Sequence, residues 1–280
     1  VVMREGAGPR EVREPEIAAQ GDTLLVFDPQ LARLTRLAPG GRMLDERRIE
    51  VGATGFPIWT SADGSIWIDA LYDIGHNTQN ALRITPAGRI DTVMWDARFA
   101  DDQWVDWKLP HAVIRGGPFS AAPQPAIDPA GRVVFGGSRN SRWYVVSGGD
   151  TVQRVVLSDH VTAIPAQVRD SAWKAFLARF ASMPGVAAGQ LDKKQLPTNY
   201  PAWVSLDINP RGEWWIGRPG RDGKLAAWDV IVDGKLVGHA LAPASPAGAK
   251  AFGRDLIALL HEDADGVPWI GVYRVVRAGN

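Results

Sequence analysis

Tyr200-Pro201-Ala202-Trp203, then Leu206-Asp207-Ile208-Asn209-Pro210-Arg211-Gly212-Glu213-Trp214-Trp215-Ile216, reads as a proline-led strand, a tight turn and a second strand. Pro has no N–H to give to a ladder, so it suits the first residue of a strand. Asn bonds its own downstream backbone and Gly supplies a positive φ, and together they make the turn. The proline start recurs at Glu14-Pro15-Glu16-Ile17, Phe56-Pro57-Ile58-Trp59 and Gln124-Pro125-Ala126-Ile127. The turn recurs at Ala62-Asp63-Gly64, Asp128-Pro129-Ala130-Gly131 and Asp263-Ala264-Asp265-Gly266. Half a unit later a second turn class appears, at Pro39-Gly40-Gly41-Arg42, Pro86-Ala87-Gly88-Arg89 and Asp233-Gly234-Lys235.

Each unit thus reads as four short antiparallel strands, and Pro15 to Pro57 is 42 residues, the length of one propeller blade. The expected fold is an all-β propeller of four-stranded blades, one domain over 1–280, with five units at 14–51, 55–96, 122–157, 200–242 and 250–277. Longer spacings, 68 residues from Pro57 to Pro125 and 76 from Pro125 to Pro201, leave insertions at 97–121 and 158–199, either of which has room for a degenerate blade. The last unit shows two or three strands, so residues 1–6 are expected to close it. A Greek-key sandwich is the rival, but it has no reason to repeat this device at blade length. One helix is expected over 167–181, where Trp173, Phe176, Leu177 and Phe180 form an apolar stripe. It packs on the propeller's flank or covers the channel mouth as a lid.

Composition narrows the function classes. Of 280 residues, 31 Lys+Arg balance 31 Asp+Glu, so the electrostatic footprint of nucleic-acid binding is missing. With no Cys there is no disulfide framework and no thiolate metal site. No apolar run is long enough to span a membrane as a helix. The sequence has no Gly-x-Ser-x-Gly elbow, and the five His (His76, His111, His160, His239, His261) show no zinc-type spacing. His239 sits in an apparent strand and reads as structural. Trp104 and Trp107 in the acidic-aromatic stretch 101–108 either offer flat faces to a ring ligand or anchor an inserted loop.

Arg4-Glu5-Gly6-Ala7-Gly8-Pro9-Arg10-Glu11-Val12, with Pro15, Gly21-Asp22-Thr23 and Asp28, resembles the Gly-x-Gly-x-Gly-Pro-Gly-Glu-Phe signature of bacterial NHL-like six-bladed propellers. Asp128–Val133, Leu206–Trp215 and Asp263–Val275 resemble the inner hairpins and closing strand of that family. The signature is degenerate here, and the family's secretion signal and about one further blade do not precede it. The chain therefore looks like five blades of a six-bladed pattern, with no signal peptide. The resemblance implies a periplasmic or extracellular protein. Gluconolactonase-like propellers, similar in shape, hold Ca²⁺ with a Glu, an Asn and an Asp. The matching Asn and Asp slots fall here at Phe56 and Ala202, and only Glu14 has a counterpart. No cofactor is evident and no metal ligand is assigned; the resemblance leaves room for Ca²⁺ in the central channel.

Propellers bind ligands where the innermost strands begin. The expected site therefore comprises Trp59, Gln124, Tyr200, Trp203 and Arg254 as ligand-binding residues, with Glu14, Glu16, His111 and Asn199 as catalytic candidates. The leading reading is a binding propeller for a small molecule, glycan or peptide. The alternatives are a hydrolase or lyase at the same face, lactonase-like or metal-assisted, and a structural or interaction module of an exported protein.

Overall fold

The inner turns close as their residues dictate. Asp128 accepts from the Arg132 N–H at 2.9 Å, and Asn209 accepts from the Arg211 and Glu213 N–H groups at 3.0 and 3.1 Å. Asp63 accepts from the Ser65 N–H at 3.0 Å and from the Ser61 hydroxyl at 2.6 Å. Gly131, Gly212 and Gly64 complete the turns at φ of 75°, 80° and 81°, where side chains are rarely accommodated. These turns belong to a computed structural model that describes residues 4–5, 11–12, 16–20, 22–49, 58–73, 78–96, 105–109, 112–121, 125–139, 142–158, 162–180, 191–218, 225–243, 250–252, 254–262 and 268–276.

Strand β1 (Arg4–Glu5) pairs in parallel with β2 (Glu11–Val12). Blade one is the antiparallel meander β3 (Glu16–Gln20), β4 (Thr23–Asp28), β5 (Arg33–Leu37) and β6 (Met43–Arg48). Blade two is β7 (Ile58–Thr60), β8 (Ile66–Asp73), β9 (Thr78–Ile84) and β10 (Ile90–Asp96). A hairpin follows, β11 (Asp106–Leu109) with β12 (Ala112–Arg115). Blade three is β13 (Ala126–Ile127), β14 (Val133–Gly136), β15 (Arg142–Ser147) and β16 (Asp150–Val156). Helix α1 (Ala166–Phe180) leads on to blade four, which is β17 (Ser205–Ile208), β18 (Trp214–Arg218), β19 (Leu225–Val232) and β20 (Lys235–Pro243). The last sheet has three described strands, β21 (Lys250–Phe252), β22 (Leu256–Glu262) and β23 (Pro268–Arg274).

The first strands lie side by side, β3 on β7, β7 on β13 and β13 on β17, so the first strand of each blade is the innermost. The architecture is an all-β propeller with four-stranded blades and one helix. It corrects the expected count: the described residues build four four-stranded blades, not five or six. The physical reason lies in the last unit. Its Asp263-Ala264-Asp265-Gly266 stretch, which lies outside the described residues, falls in the chain between the second and third described strands, not between the first and second as the matching stretches do in blades three and four. Closure by residues 1–6 stays a proposal: only Arg4–Glu5 of that segment is described, and it pairs with Glu11–Val12.

Alternation of side chains along each strand glues neighbouring blades. On β18, Trp214 packs toward blade three with Trp143 and Val155, while Trp215 faces the other way, toward Ile257 and Leu259 of the last sheet. Leu25, Phe27 and Leu34 of blade one meet Ile58, Ile66 and Ile68 of blade two. Trp67 and Trp95 of blade two meet Phe135 and Tyr144 of blade three.

The two insertions form one body. Trp107 of β11 is buried, donates to the Gly116 carbonyl at 2.7 Å, and lies 5.6 Å from Trp173 and 5.2 Å from Phe176 of α1. Val105, Leu191 and Leu196 complete this separate core. Trp107 is thus an anchor, the second of its two sequence readings. The helix matches its expected span to one residue, and Trp173, Phe176 and Leu177 of the stripe face the hairpin.

Candidate functional site at the strand-start end

In an antiparallel four-stranded meander, the fourth-to-first connections and the second-to-third turns fall at one end, and the inner hairpin turns at the other. Both insertions are fourth-to-first connections. Ser138, in the second-to-third turn of blade three, ties them together: its hydroxyl donates to the Ala121 carbonyl, and its own carbonyl accepts from the Ala202 N–H at 2.7 Å. At the opposite end the Ala62 N–H donates to the Pro129 carbonyl at 2.7 Å, and Arg211 pairs with Asp255 at 2.5 Å.

This division sorts the expected residues. Pro125 and Pro201 are buried just before the inner strands of blades three and four; Pro15 and Pro57 lie outside the described residues. Glu14, His111 and Gln124 also lie outside them. Glu16 opens the innermost strand β3, and burial pushes its carboxyl above the usual Glu value. Trp59, half-buried on β7, packs against the core between blades two and three. Asn199 is exposed and forms an isolated bridge with Ala163, while the Tyr200 N–H donates to the Thr162 carbonyl at 2.9 Å. Trp203 is 0% exposed, set edge-on to Trp143 at 6.5 Å, with the Arg218 guanidinium 5.9 Å from its ring. It supports the site from within the core and offers a ligand no surface. Arg254 follows β21 and precedes Asp255, so the topology sets it at the opposite end from Glu16 and Tyr200.

One contributor carried no mark in the sequence. Phe119 has φ 64°, and the Ser120 N–H donates to the Gly117 carbonyl at 3.1 Å across Pro118-Phe119. That is a turn whose third position normally calls for glycine. The left-handed backbone sets the Phe119 ring edge-on to Tyr200 at 5.8 Å. Pro118 favours such a turn, but nothing in the sequence names Phe as its strained residue.

A second cluster lies on blade four. Asp229 is 2% exposed; it takes Arg218 Nη2 on Oδ2 at 2.7 Å and His239 Nδ1 on Oδ1 at 2.6 Å. Sequence reasoning gave His239 a structural role, because its carboxylate partner arrives only through the pairing of β19 with β20. Among the described residues no group of three or more His, Asp or Glu side chains is placed to hold a metal ion such as the Ca²⁺ that the resemblance allows. No described helix is long and apolar enough to cross a membrane.

No protein-family model matches the chain, and no curated protein sequence matches it. Solved structures similar to it include virginiamycin B lyase from Staphylococcus aureus, at 10% identity over 94% of this chain and 85% of that one, TM-score 0.41. A Bacteroides fragilis protein described as exported matches at 11% identity over 93% of this chain and 70% of that one, TM-score 0.45. A protein from Bacteroides vulgatus matches at 9% identity over 97% of this chain and 81% of that one, TM-score 0.48. Nothing about chemistry follows from likenesses of this size.

Proposed function

We propose that this chain is a ligand-binding propeller that recognises a small molecule, glycan or peptide at the end where its innermost strands begin. The observation that carries the reading is the Phe119–Tyr200 pair. Holding a bulky residue at φ 64° costs on the order of 1–3 kcal/mol, and such strain concentrates at ligand sites. Here it sets two rings edge to face between the two insertions, beside the exposed Asn199. Rings with a neighbouring amide suit a ligand with both flat and polar surfaces. The body formed by the β11–β12 hairpin and α1 flanks this end and governs access to it.

A hydrolase or lyase at the same end is the second reading, favoured by Glu16. A carboxyl pushed up by burial holds a proton closer to neutral pH, as a general acid or base requires. An exported location, periplasmic or extracellular, goes with the NHL-like resemblance.

Chitin oligomers, short peptides and aromatic lactones, titrated while backbone amide shifts are followed, test the proposal. Saturable shifts are expected at Trp59, Phe119, Asn199 and Tyr200. Phe119→Ala and Tyr200→Ala should weaken binding about tenfold, roughly 1.4 kcal/mol, without lowering the melting temperature. Shifts confined to the inner-hairpin end, or a Tyr200→Ala variant that binds like the parent, would sink it.

A further inference from the structure

We infer, on the ligand-binding reading above, that the cap formed by the β11–β12 hairpin and α1 is the switch of the ring-pair site. Its docking sets Phe119 against Tyr200, so cap opening and ligand release are one event. Phe119 is held from the cap through its neighbours. Gly117, two residues before it, has φ 134°, a backbone conformation that side chains rarely adopt. A Cβ at Gly117 would lie 3.2 Å from Trp107 Nε1 and 3.3 Å from Phe176 Cε2, so the chain passes directly over the core of the cap. Gly116 is fixed as well: its carbonyl accepts from the Trp107 indole at 2.7 Å, and its N–H donates to the Val105 carbonyl at 3.0 Å. Tyr200 is held from the same helix by another route. The run leading into α1 pairs with 198–200: the Tyr200 N–H donates to the Thr162 carbonyl at 2.9 Å, and the Ile164 N–H to the Thr198 carbonyl at 2.8 Å. Arg169 of α1 then reaches back to the Leu196 carbonyl at 3.1 Å.

The far side of each ring is anchored to blade three. Ser138 bonds the carbonyl of Ala121, two residues after Phe119, and the N–H of Ala202, two residues after Tyr200. Each ring thus sits between a fixed point on the blade and a contact that belongs to the cap. The cap core of Val105, Trp107, Leu191 and Leu196 is separate from the cores between blades, so it can open while the blades stay folded. A left-handed Phe persists only while its surroundings dictate it. Once α1 leaves Gly117, Phe119 relaxes and the rings part. A ligand held on both rings keeps the cap shut by the same coupling, read in the other direction. Gly117, Trp107 and Phe176 are therefore positioning residues, acting on a ligand through Phe119.

Native-state hydrogen exchange tests the coupling on the unaltered chain, without a ligand. The amides of Gly116, Ser120, Ile164 and Tyr200 should open in one step shared with α1, at denaturant concentrations where β18 stays closed. Phe176→Ala and Gly117→Ala should speed exchange at Ser120 and Tyr200 at least about tenfold and remove the nuclear Overhauser contact between the Phe119 and Tyr200 rings. Phe176→Leu, which refills most of the space, should restore both. A chitin oligomer that binds should slow exchange in α1 by the same factor by which Phe176→Ala weakens it, because coupling between two equilibria is reciprocal. Exchange of α1 independent of Ser120 and Tyr200 overturns the inference, as does a ring contact that survives Phe176→Ala. Should Phe176→Ala fail to fold, the exchange pattern of the unaltered chain decides. Probes that shift none of the ring-pair amides strike the binding reading instead, and the exchange pattern still decides the coupling.

Discussion

Glu16 enters the folded state with its carboxyl half-buried, and that burial alone pushes its proton affinity up. The folded protein therefore holds this proton at pH values where the unfolded chain has already released it. Its cost to stability is absent below the unfolded value, grows as pH rises through the folded one, and is complete above it. Glu16→Gln should raise the urea midpoint at pH 8 and leave it unchanged at pH 3; the reverse order would show that the carboxylate is stabilised rather than desolvated. Asp63 behaves oppositely. The Ser61 hydroxyl first, then Ser65 and Arg83, hold its carboxyl well below the usual Asp value. A desolvated acid on an innermost strand and a saturated one in a turn are two carboxylates with different tasks.

At the scale of elements, the hairpin and the helix belong together although blade three separates them in the chain. Trp107→Ala removes the centre of their shared core, a change that costs about 3–5 kcal/mol in well-packed sites. Val168→Ala, on the exposed part of α1, should stay within about 0.5 kcal/mol. Urea unfolding read at the helical band checks both, and equal midpoints would deny the shared core. The helix was legible because Trp173, Phe176 and Leu177 repeat at helical spacing. Its partner was not: the contact joins residues far apart, and Trp107 reads equally as anchor or ligand platform. Phe119 and His239 escaped for related reasons, one a matter of backbone angle and the other of cross-strand pairing.

For the whole molecule, the blades were legible where a proline start and an Asx-Gly turn recur in the same order, as in blades three and four. The last unit broke the order, with its Asp-Gly stretch one strand later in the chain, and the count failed there. Its described part stops at three strands, and a bare sheet edge is a template for unwanted pairing. The expected partner is the chain's own start. Deleting residues 1–6 should lower the melting temperature measured by calorimetry; an unchanged value would show that this segment closes nothing.

The joint core of the two insertions also sets a timetable for synthesis. A ribosome adding roughly 5–20 residues per second needs on the order of 3–13 s to travel from Trp107 to Trp173. Throughout that interval the nascent hairpin has no helix to cover it, and Trp107 and Ile114 face the cytosol or a translocation channel as an adhesive surface. Blade three is completed in the meantime, so hairpin and helix can join only after that blade has been made.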